Sequence, residues 1–263
     1  MNRGLALLCC LLAAPAWGGD WRDTLTPLRP GKFAAPRPLK ATYEFGWSGL
    51  TAATADFDFS KGQRGQLRLE VKAKTVGAVR TLWRLDAQHS AVCDAATLRP
   101  ISLQQTEIYK SETESAKATF FPTYVERRTK VTPSKGPPPK DHPFKCGDVF
   151  DLQTALLFIR SQPLQAGDSY RLIVYPGKAA YFAEIEVAGR EKLKVGGRSV
   201  DAIKCQVRLQ GVGKKFELEP HRKFKRAFAW LSDDRDRLVL RVQADIFVGS
   251  VWAELRSVEF ADP

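Results

Sequence analysis

Histidine is scarce in this sequence, with only three in 263 residues, at positions 89, 142 and 221. No two of them stand at the H-x-H or H-x-x-x-H spacing that brings two imidazoles to one metal ion. The sequence also lacks a G-x-S-x-G nucleophile elbow and a glycine-rich phosphate loop between a strand and a helix. We therefore predict no metal site, no cofactor and no catalytic residue set.

Long apolar runs are missing as well. A membrane-spanning helix needs about 20 apolar residues, and the apolar run from Leu5 to Ala14 is about half that length. It follows Arg3 and ends in Ala-Pro-Ala, which is the pattern of a secretory signal peptide. We expect cleavage near Ala16 and a periplasmic or secreted protein without a membrane span. Cys9 and Cys10 do not indicate a lipoprotein, because leucine rather than a small residue precedes them.

Acidic residues are fewer than basic ones, and the formal net charge is +12. It falls to +11 when Arg3 leaves with residues 1–16, and 247 residues remain. We expect a proline-rich extended segment at 17–39 and one β-rich domain at 40–263. For a basic exported protein the plausible partners are anionic glycans, lipid head groups or acidic proteins, and no nucleic-acid recognition module is visible.

Removal of the signal peptide leaves three cysteines, which permit at most one internal disulfide. In "AIKCQVRLQ" the alternation places Cys205 on an apolar face, so it is predicted to be a buried core thiol. Cys93 and Cys146 both stand beside turns and are the candidates for a disulfide. A reactive Cys146 with a lowered pKa is the alternative.

The dominant pattern is an alternation of apolar and polar residues with a period of two. It is clear in "TYEFGW" (42–47) and "LRLEVKA" (67–73) and recurs in about eleven later runs. Long alternating strands joined by short turns predict a mainly antiparallel sheet. One segment, at about 149–162, is instead a helix that follows Asp148 or Asp151, is apolar nearly all round, and stops at Pro163. We therefore predict a strongly curved sheet, a half-barrel or open barrel, that wraps a single central helix.

Two kinds of charged residues are candidates for function. Carboxylate pairs for glycoside chemistry would come from strand positions on a polar face, namely Glu44, Asp56, Asp58, Glu184, Glu186 and Glu254. The densest basic run lies at 213–228, where cations alternate with phenylalanines, and it is either an anion-binding strip or a solvated edge strand. The candidate ligand-binding residues are Trp47, Lys215, Arg222, Lys223, Lys225, Arg226 and Trp230.

The stretch "WLSDDRDRLVLR" (230–241) places Asp233 and Asp234 between two alternating strands. Aspartates at such a connection accept hydrogen bonds from their own backbone. Arg235 and Arg237 are near enough to neutralise them, which is unfavourable for a general acid. The stretch therefore predicts a hairpin turn, followed by a second turn at Gly249 and hence a three-stranded meander.

Three spaced motifs give the sequence a resemblance to a known family. They comprise Tyr43, Trp47 and Gly49, then Asp151, Thr154, Ala155, Leu156, Ile159 and Arg160, and finally Trp230, Ser232, Asp233 and Asp234. This set resembles the exported domain-of-unknown-function family 3108 (DUF3108). More loosely, a curved sheet around a helix is similar to the LolA/LolB-type lipoprotein carriers, whose half-barrel holds acyl chains. The resemblance implies a single exported domain and supplies no activity.

We therefore expect a non-enzymatic envelope protein that binds an amphipathic or anionic ligand, either a lipid or a cell-surface glycan. Two alternatives stay open from the sequence. One is an enzyme that acts on polysaccharide through a carboxylate pair, and the other is a structural partner in an envelope assembly. They are separated by whether the concave face of the sheet is filled or hollow, and by whether carboxylates meet in a cleft.

Overall fold

A computed structural model describes residues 20–134, 136–137, 139–221, 226–246 and 249–261. All its strands belong to one sheet. They are β1 (Leu39–Trp47), β2 (Leu50–Lys61), β3 (Gln66–Thr75), β4 (Leu85–Asp94), β5 (Pro100–Tyr109), β6 (Thr113–Phe120), β7 (Val125–Thr132), β8 (Val149–Phe150), β9 (Ser169–Val174), β10 (Tyr181–Val195), β11 (Arg198–Val212), β12 (Leu218–Pro220), β13 (Arg226–Ser232), β14 (Val239–Asp245) and β15 (Ser250–Phe260). The helices are α1 (Gly77–Leu82) and α2 (Leu152–Ser161), and a short 3-10 helix spans Trp21–Thr24.

The strand order is β7-β6-β5-β4-β3-β2-β1-β15-β14-β13-β11-β10-β9-β8, with β12 paired to β11. Neighbours along the chain are mostly neighbours in the sheet, as expected for strands joined by short turns. The predicted mainly antiparallel sheet is confirmed, except that β8 pairs with β9 in parallel. The predicted C-terminal meander is also found, as β13, β14 and β15 in succession.

The sheet curls until its two ends approach each other and form a nearly closed barrel. One hydrophobic cluster combines Ala91, Leu103, Ala118 and Val125 from β4–β7 with Val149 and Ile173 from β8 and β9. The seam is closed by the segment after β7, where Phe144 exchanges two backbone hydrogen bonds of 2.9 Å with Val125. Phe144 also stacks on Tyr175, with ring centroids 6.1 Å apart. Phe144 therefore contacts both β7 and the residue that follows β9.

Helix α2 lies at one end of the barrel, which we call the helix end. Its buried side carries Phe158, Ile159 and Ala155, which pack with Phe59 and Leu67 of β2 and β3. The prediction of a single enclosed central helix is wrong, because Leu152 is 57% exposed and Leu156 is exposed one turn later. The helix therefore covers an opening of the barrel with one face and shows the other face to solvent.

The opposite end, which we call the open end, carries α1 and the turns β1–β2, β5–β6 and β14–β15. Helix α1 is an additional element, because the sequence analysis predicts a single helix at about 149–162. None of its residues is buried. Its start is tied to the sheet by a 2.9 Å hydrogen bond from the Val76 amide to the Ala52 carbonyl. No helix in the described ranges is long and apolar enough to span a bilayer.

Candidate functional site

The aspartate pair of the C-terminal motif forms a turn between β13 and β14, as predicted. Asp234 Oδ1 accepts hydrogen bonds from Ser232 Oγ at 2.8 Å and from the amides of Asp236 at 2.8 Å and Arg237 at 3.0 Å. Asp233 forms an ion pair of 2.7 Å with Arg190. Both carboxylates therefore hold the hairpin in place, and neither is directed at a cleft.

This turn places Arg237 beside the C-terminus of α2. Arg237 is buried, has a left-handed φ of 44°, and donates to the carbonyls of Arg160 at 2.8 Å and Pro163 at 3.0 Å, and to that of Gln162. A helix end leaves its last carbonyls without intrahelical partners. Arg237 supplies those partners and thereby joins the second and third sequence motifs. We call this contact between the C-terminus of α2 and the β13–β14 turn the structural lock.

The N-terminal segment closes over this lock. Phe33 lies against the Arg237 guanidinium, whose central carbon is 3.4 Å from the ring centroid. Arg160 donates to the Ala34 carbonyl at 2.7 Å and to the Asp236 carbonyl at 2.8 Å. Burial lowers the pKa of both Arg160 and Arg237; the Arg237 guanidinium lowers the pKa of Arg160 further, and Arg190 does the same to Arg237. The guanidinium N–H groups of both buried arginines donate to backbone carbonyls, so both side chains have a structural role.

Asp151, one of the two predicted N-cap candidates, is the N-cap of α2 and is almost fully buried. Its Oδ1 accepts from the amides of Gln153 at 2.7 Å and Thr154 at 2.9 Å, while its Oδ2 has no hydrogen-bond partner. Burial raises the pKa of this carboxyl from 3.8 to about 6, against the opposing effect of the two amides. Near neutral pH the fold therefore carries a buried negative charge with one unsatisfied oxygen.

We expect Asp151→Asn to change how stability depends on pH. A carboxyl with a raised pKa binds its proton more tightly in the folded state, so the protonated form stabilises the fold fully below about pH 3.8. This stabilisation is lost as the pH rises through about 6. Between pH 4 and 7 the variant should therefore gain about 3 kcal/mol relative to the native protein, at about 1.4 kcal/mol per pKa unit. Urea unfolding at several pH values measures this difference.

Asp148→Asn is the matched control. Asp148 lies three residues before the cap, its side chain is 57% exposed, and it forms an ion pair with Arg99. It should show no comparable change over the same pH range. If the difference between Asp151→Asn and the native protein stays constant with pH, the buried carboxylate does not control stability.

The three cysteines are free thiols in the structure. The predicted core position of Cys205 is confirmed, since it is fully buried. The proposed disulfide between Cys93 and Cys146 is not formed in this structure, and the pairing stays a prediction. Burial raises the pKa of Cys93 to about 12 and that of Cys205 to about 11, and it also raises the pKa of Cys146. A reactive thiolate at Cys146 is therefore not supported.

The predicted ligand-binding residues do not form one site in the described ranges. Trp47 is 44% exposed at the open end, whereas Trp230 is buried and donates its indole N–H to Glu191 at 2.7 Å. Lys215 lies in the turn before β12, and Arg226 is ion-paired with Asp245 at 3.3 Å. Arg222, Lys223 and Lys225 lie outside the described residues, so the anion-binding strip stays a prediction.

Two of the candidate carboxylates do come close together. Glu44 of β1 and Glu254 of β15 are directly opposite in register, and Arg256 bonds to both, at 2.7 and 2.9 Å. Glu254 is also ion-paired with Arg241. Strand alternation places Glu44 on the face opposite Tyr43 and Phe45, away from the barrel interior. The pair is neutralised on the outside of the sheet, and the geometry gives it no cleft for a sugar.

The concave side of β3–β6 changes character along the barrel axis. Register places Leu69, Ala91, Leu103 and Ala118 in one inward-facing row near the helix end, and the last three are fully buried. The next row towards the open end holds Val71, His89, Gln105 and Ala116, and the one after it holds Ala73, Ala87, Glu107 and Glu114. All members of these two rows are partly exposed. The interior is therefore filled at the helix end and reached by water beyond its middle.

A cluster of polar side chains lies in the water-accessible part of the barrel interior. The side chains of His89 and Glu107 are 29% and 34% exposed, and His89 Nε2 lies 3.8 Å from Glu107 Oε1 without any hydrogen-bond partner. Tyr109 donates to Glu107 Oε2, which raises the pKa of the tyrosine to about 12. His89, aided by Tyr109 and Lys178 and opposed by burial, holds the pKa of Glu107 below its usual range. A charged carboxylate thus lies beside an imidazole inside the barrel.

A second cluster of charged side chains lies on β6 and β7, beside the first. Arg127 of β7 reaches Glu114 at 3.0 Å and Asp141 at 3.1 Å, and it is nearly buried. Asp141 also accepts from the Thr129 hydroxyl at 2.9 Å. Small apolar residues, among them Ala73 and Ala87, cover the neighbouring wall of β3 and β4. The open half of the interior therefore has an apolar wall and a polar edge.

None of these interior residues was among the predicted site residues. The alternation of "DAQHSAVCD" does place His89 on the face of Ala91 and Cys93, which was a usable signal. Its neighbour Glu107 lies on the next strand, and only the register of β4 with β5 brings the two together. That register is a property of the folded sheet and is not local in the sequence.

Comparison with known proteins agrees with this architecture. The family model described as "Protein of unknown function (DUF3108)" matches residues 42–256. Among solved structures, the chain is similar to a beta-barrel-like protein of domain of unknown function DUF1849 from Brucella abortus, with a TM-score of 0.58 and 12% identity over 86% of this chain and 99% of that chain. A protein with a YmcC-like fold from Bacteroides fragilis matches with a TM-score of 0.33 and 8% identity, over 88% of this chain and 99% of that chain. A search of curated proteins returned no match.

Proposed function

The chain belongs to the DUF3108 family of proteins of unknown function, and we propose that it binds an amphipathic ligand, such as a lipid, in the open half of its barrel. The apolar part of the ligand would lie against the wall that contains Ala73 and Ala87. Its polar part would lie at His89 and Glu107. The signal-like N-terminus supports a site of action in the cell envelope.

The observation that carries this proposal is the exposure of inward-facing side chains. In a packed interior, side chains that point inwards are buried and their polar atoms are hydrogen-bonded. Here His89 and Glu107 point inwards, stay about one-third exposed, and leave His89 Nε2 unpartnered. A ligand would contact the exposed parts of these two side chains, whereas His89 Nε2 itself lies buried beside Glu107.

The same geometry favours an amphipathic ligand over a purely polar one. Ligand sites are mostly apolar with a few well-placed polar groups, and this interior combines an alanine-rich wall with one ionic edge. A glycan remains the second ligand class for this basic protein. Its support is the basic run at 213–228, most of whose cations lie outside the described residues or, like Arg226, are ion-paired. The lipid is therefore the ligand that we propose.

We expect Ala87→Phe to reduce ligand affinity at least about tenfold, because its ring would fill the space between Ala73 and Glu107 that the ligand needs. Gln88→Phe is the matched control, because the neighbouring residue places the same ring on the outer face. The measurement is displacement of a fluorescent fatty acid from delipidated protein. Native mass spectrometry of protein purified from its own envelope identifies the natural ligand.

Two results would contradict the proposal. One is the absence both of a co-purifying lipid and of saturable fatty-acid binding by the native protein. The other is equal loss of binding in Ala87→Phe and Gln88→Phe, which would place the probe on the outer surface. Saturable binding of an anionic polysaccharide, with no binding of fatty acid, would favour the glycan.

A further inference from the structure

Two pairs of large apolar side chains in the described ranges are exposed to solvent at the open end of the barrel. Trp47 and Leu50, which flank the β1–β2 turn, are 44% and 64% exposed. Leu82 at the end of α1 and Trp83 just after it are 89% and 54% exposed. Because α1 is tied to the start of β2, both pairs lie beside the same strand at this end, and we call these four residues the apolar rim.

The local fold holds the apolar rim outwards. Thr75 Oγ1 donates to the Trp83 carbonyl at 3.0 Å and accepts from the Leu85 amide at 3.1 Å, which fixes the chain on both sides of the second pair. Arg80 is anchored at 2.9 Å to Asp86 at the start of β4. The side chains of Leu82 and Trp83 are thus displayed by a well-bonded turn, although burial would be expected for residues of these types.

The charges beside Leu82 and Trp83 are predominantly positive. Asp86 is the acid beside α1, and it is met by Arg80 at 2.9 Å, by Arg84 at 3.6 Å and by Lys74 directly opposite on β3. Three cations around one carboxylate leave a local excess of two positive charges. Tryptophan and leucine flanked by arginine and lysine are typical of a surface that enters the interface of an anionic bilayer.

We infer that the apolar rim docks the protein on the surface of an anionic phospholipid membrane. A second protein chain is a less suitable occupant, because the four side chains expose about 500 Å², given their exposed fractions and roughly 200 Å² for a side chain of this size. A stable protein interface buries about 800 Å² on each partner. Shallow insertion of protruding side chains into head groups needs no complementary partner surface.

This inference goes beyond the ligand proposal and does not depend on it, yet the two fit together. The rim lies at the open end, where the water-accessible half of the interior begins. A protein docked through the rim would place that interior next to the bilayer. A lipid would then pass between membrane and barrel over a short distance.

Co-sedimentation with phosphatidylglycerol vesicles tests the inference. The native protein should bind these vesicles, and it should bind phosphatidylcholine vesicles more weakly, with a salt-dependent difference between the two. The double variant Leu82→Ser and Trp83→Ser should reduce partitioning at least about tenfold, because the apolar area removed from water is lost. Leu152→Ser is the matched control, since Leu152 is similarly exposed at the helix end, and it should bind as the native protein does.

A second readout keeps the inference testable if the double variant folds poorly. Trp83→Leu should still sediment with the vesicles, while quenching of tryptophan fluorescence by brominated phosphatidylglycerol should fall. Ala87→Phe should bind vesicles normally, so a failure of docking is distinguishable from a failure of ligand binding.

Three outcomes would overturn the inference. They are no binding of the native protein to phosphatidylglycerol vesicles, unchanged binding of the double variant, and a dimer that the double variant abolishes without any vesicle binding. The last result would identify a second copy of the chain as the occupant of the rim.

Discussion

Arg237→Met is expected to lower the free energy of unfolding by about 4 kcal/mol. The guanidinium satisfies the carbonyls of Arg160, Gln162 and Pro163 in a buried position, and each carbonyl left without a partner costs about 1–3 kcal/mol. Methionine has similar length and no donor, so it isolates the loss of these bonds. The left-handed φ of 44° is unfavourable for a residue with a side chain, so without its bonds the turn is strained as well. Urea denaturation measures the loss.

Arg235→Met is the control for this experiment. Arg235 lies in the same turn, and its exposed side chain takes no part in the bonds to the helix. Its replacement should change stability by less than about 0.5 kcal/mol. A loss below about 1 kcal/mol for Arg237→Met would mean that water satisfies the end of α2, and that the lock between the two motifs is not a main source of stability.

Phe158→Ala is expected to cost about 4 kcal/mol. Phe158 has no exposed surface and packs against Phe150, with ring centroids 5.0 Å apart, at the point where α2 closes the helix end. Truncating a buried phenylalanine loses its transfer free energy and leaves a cavity, which together cost about 3–5 kcal/mol. The value is again measured by urea denaturation, with circular dichroism to show that the sheet remains.

Leu156→Ala, on the exposed side of the same helix, separates packing from helix propensity. It should cost about 1–2 kcal/mol, clearly less than Phe158→Ala, because 37% of Leu156 stays in contact with water in the folded protein. If both substitutions cost the same, α2 would be enclosed on all sides, as the sequence pattern suggested, and the open arrangement would be wrong.

Much of the fold was predictable because a period of two is a local property. The alternation in "TYEFGW" and "LRLEVKA" identified β1 and β3 without knowledge of their neighbours. Of the two N-cap candidates Asp151 caps α2, and the helix ends before Pro163 as predicted, since caps and breakers act within a few residues. The environment of the helix was predicted wrongly, because exposure of Leu152 and Leu156 depends on how far the sheet reaches around them.

The candidate site was less predictable than the fold. His89 and Glu107 are eighteen residues apart in sequence, and they meet only through the pairing of β4 with β5. Three charged residues were conspicuous as parts of motifs, namely Asp233, Asp234 and Arg160. In the structure their contacts stabilise the fold. Helix α1, which displays the apolar rim, spans only six residues and is too short to show a helical period.

The position of β1 has a consequence for how the chain reaches its native state. This first strand pairs on one side with β2 and on the other with β15, so the centre of the sheet joins the two ends of the chain. Contacts of such long sequence separation form slowly. Until residues 250–260 have arrived, β1 presents an unpaired edge that is open to pairing with other chains. Aggregation is therefore a hazard in the interval between formation of the first strand and formation of the last.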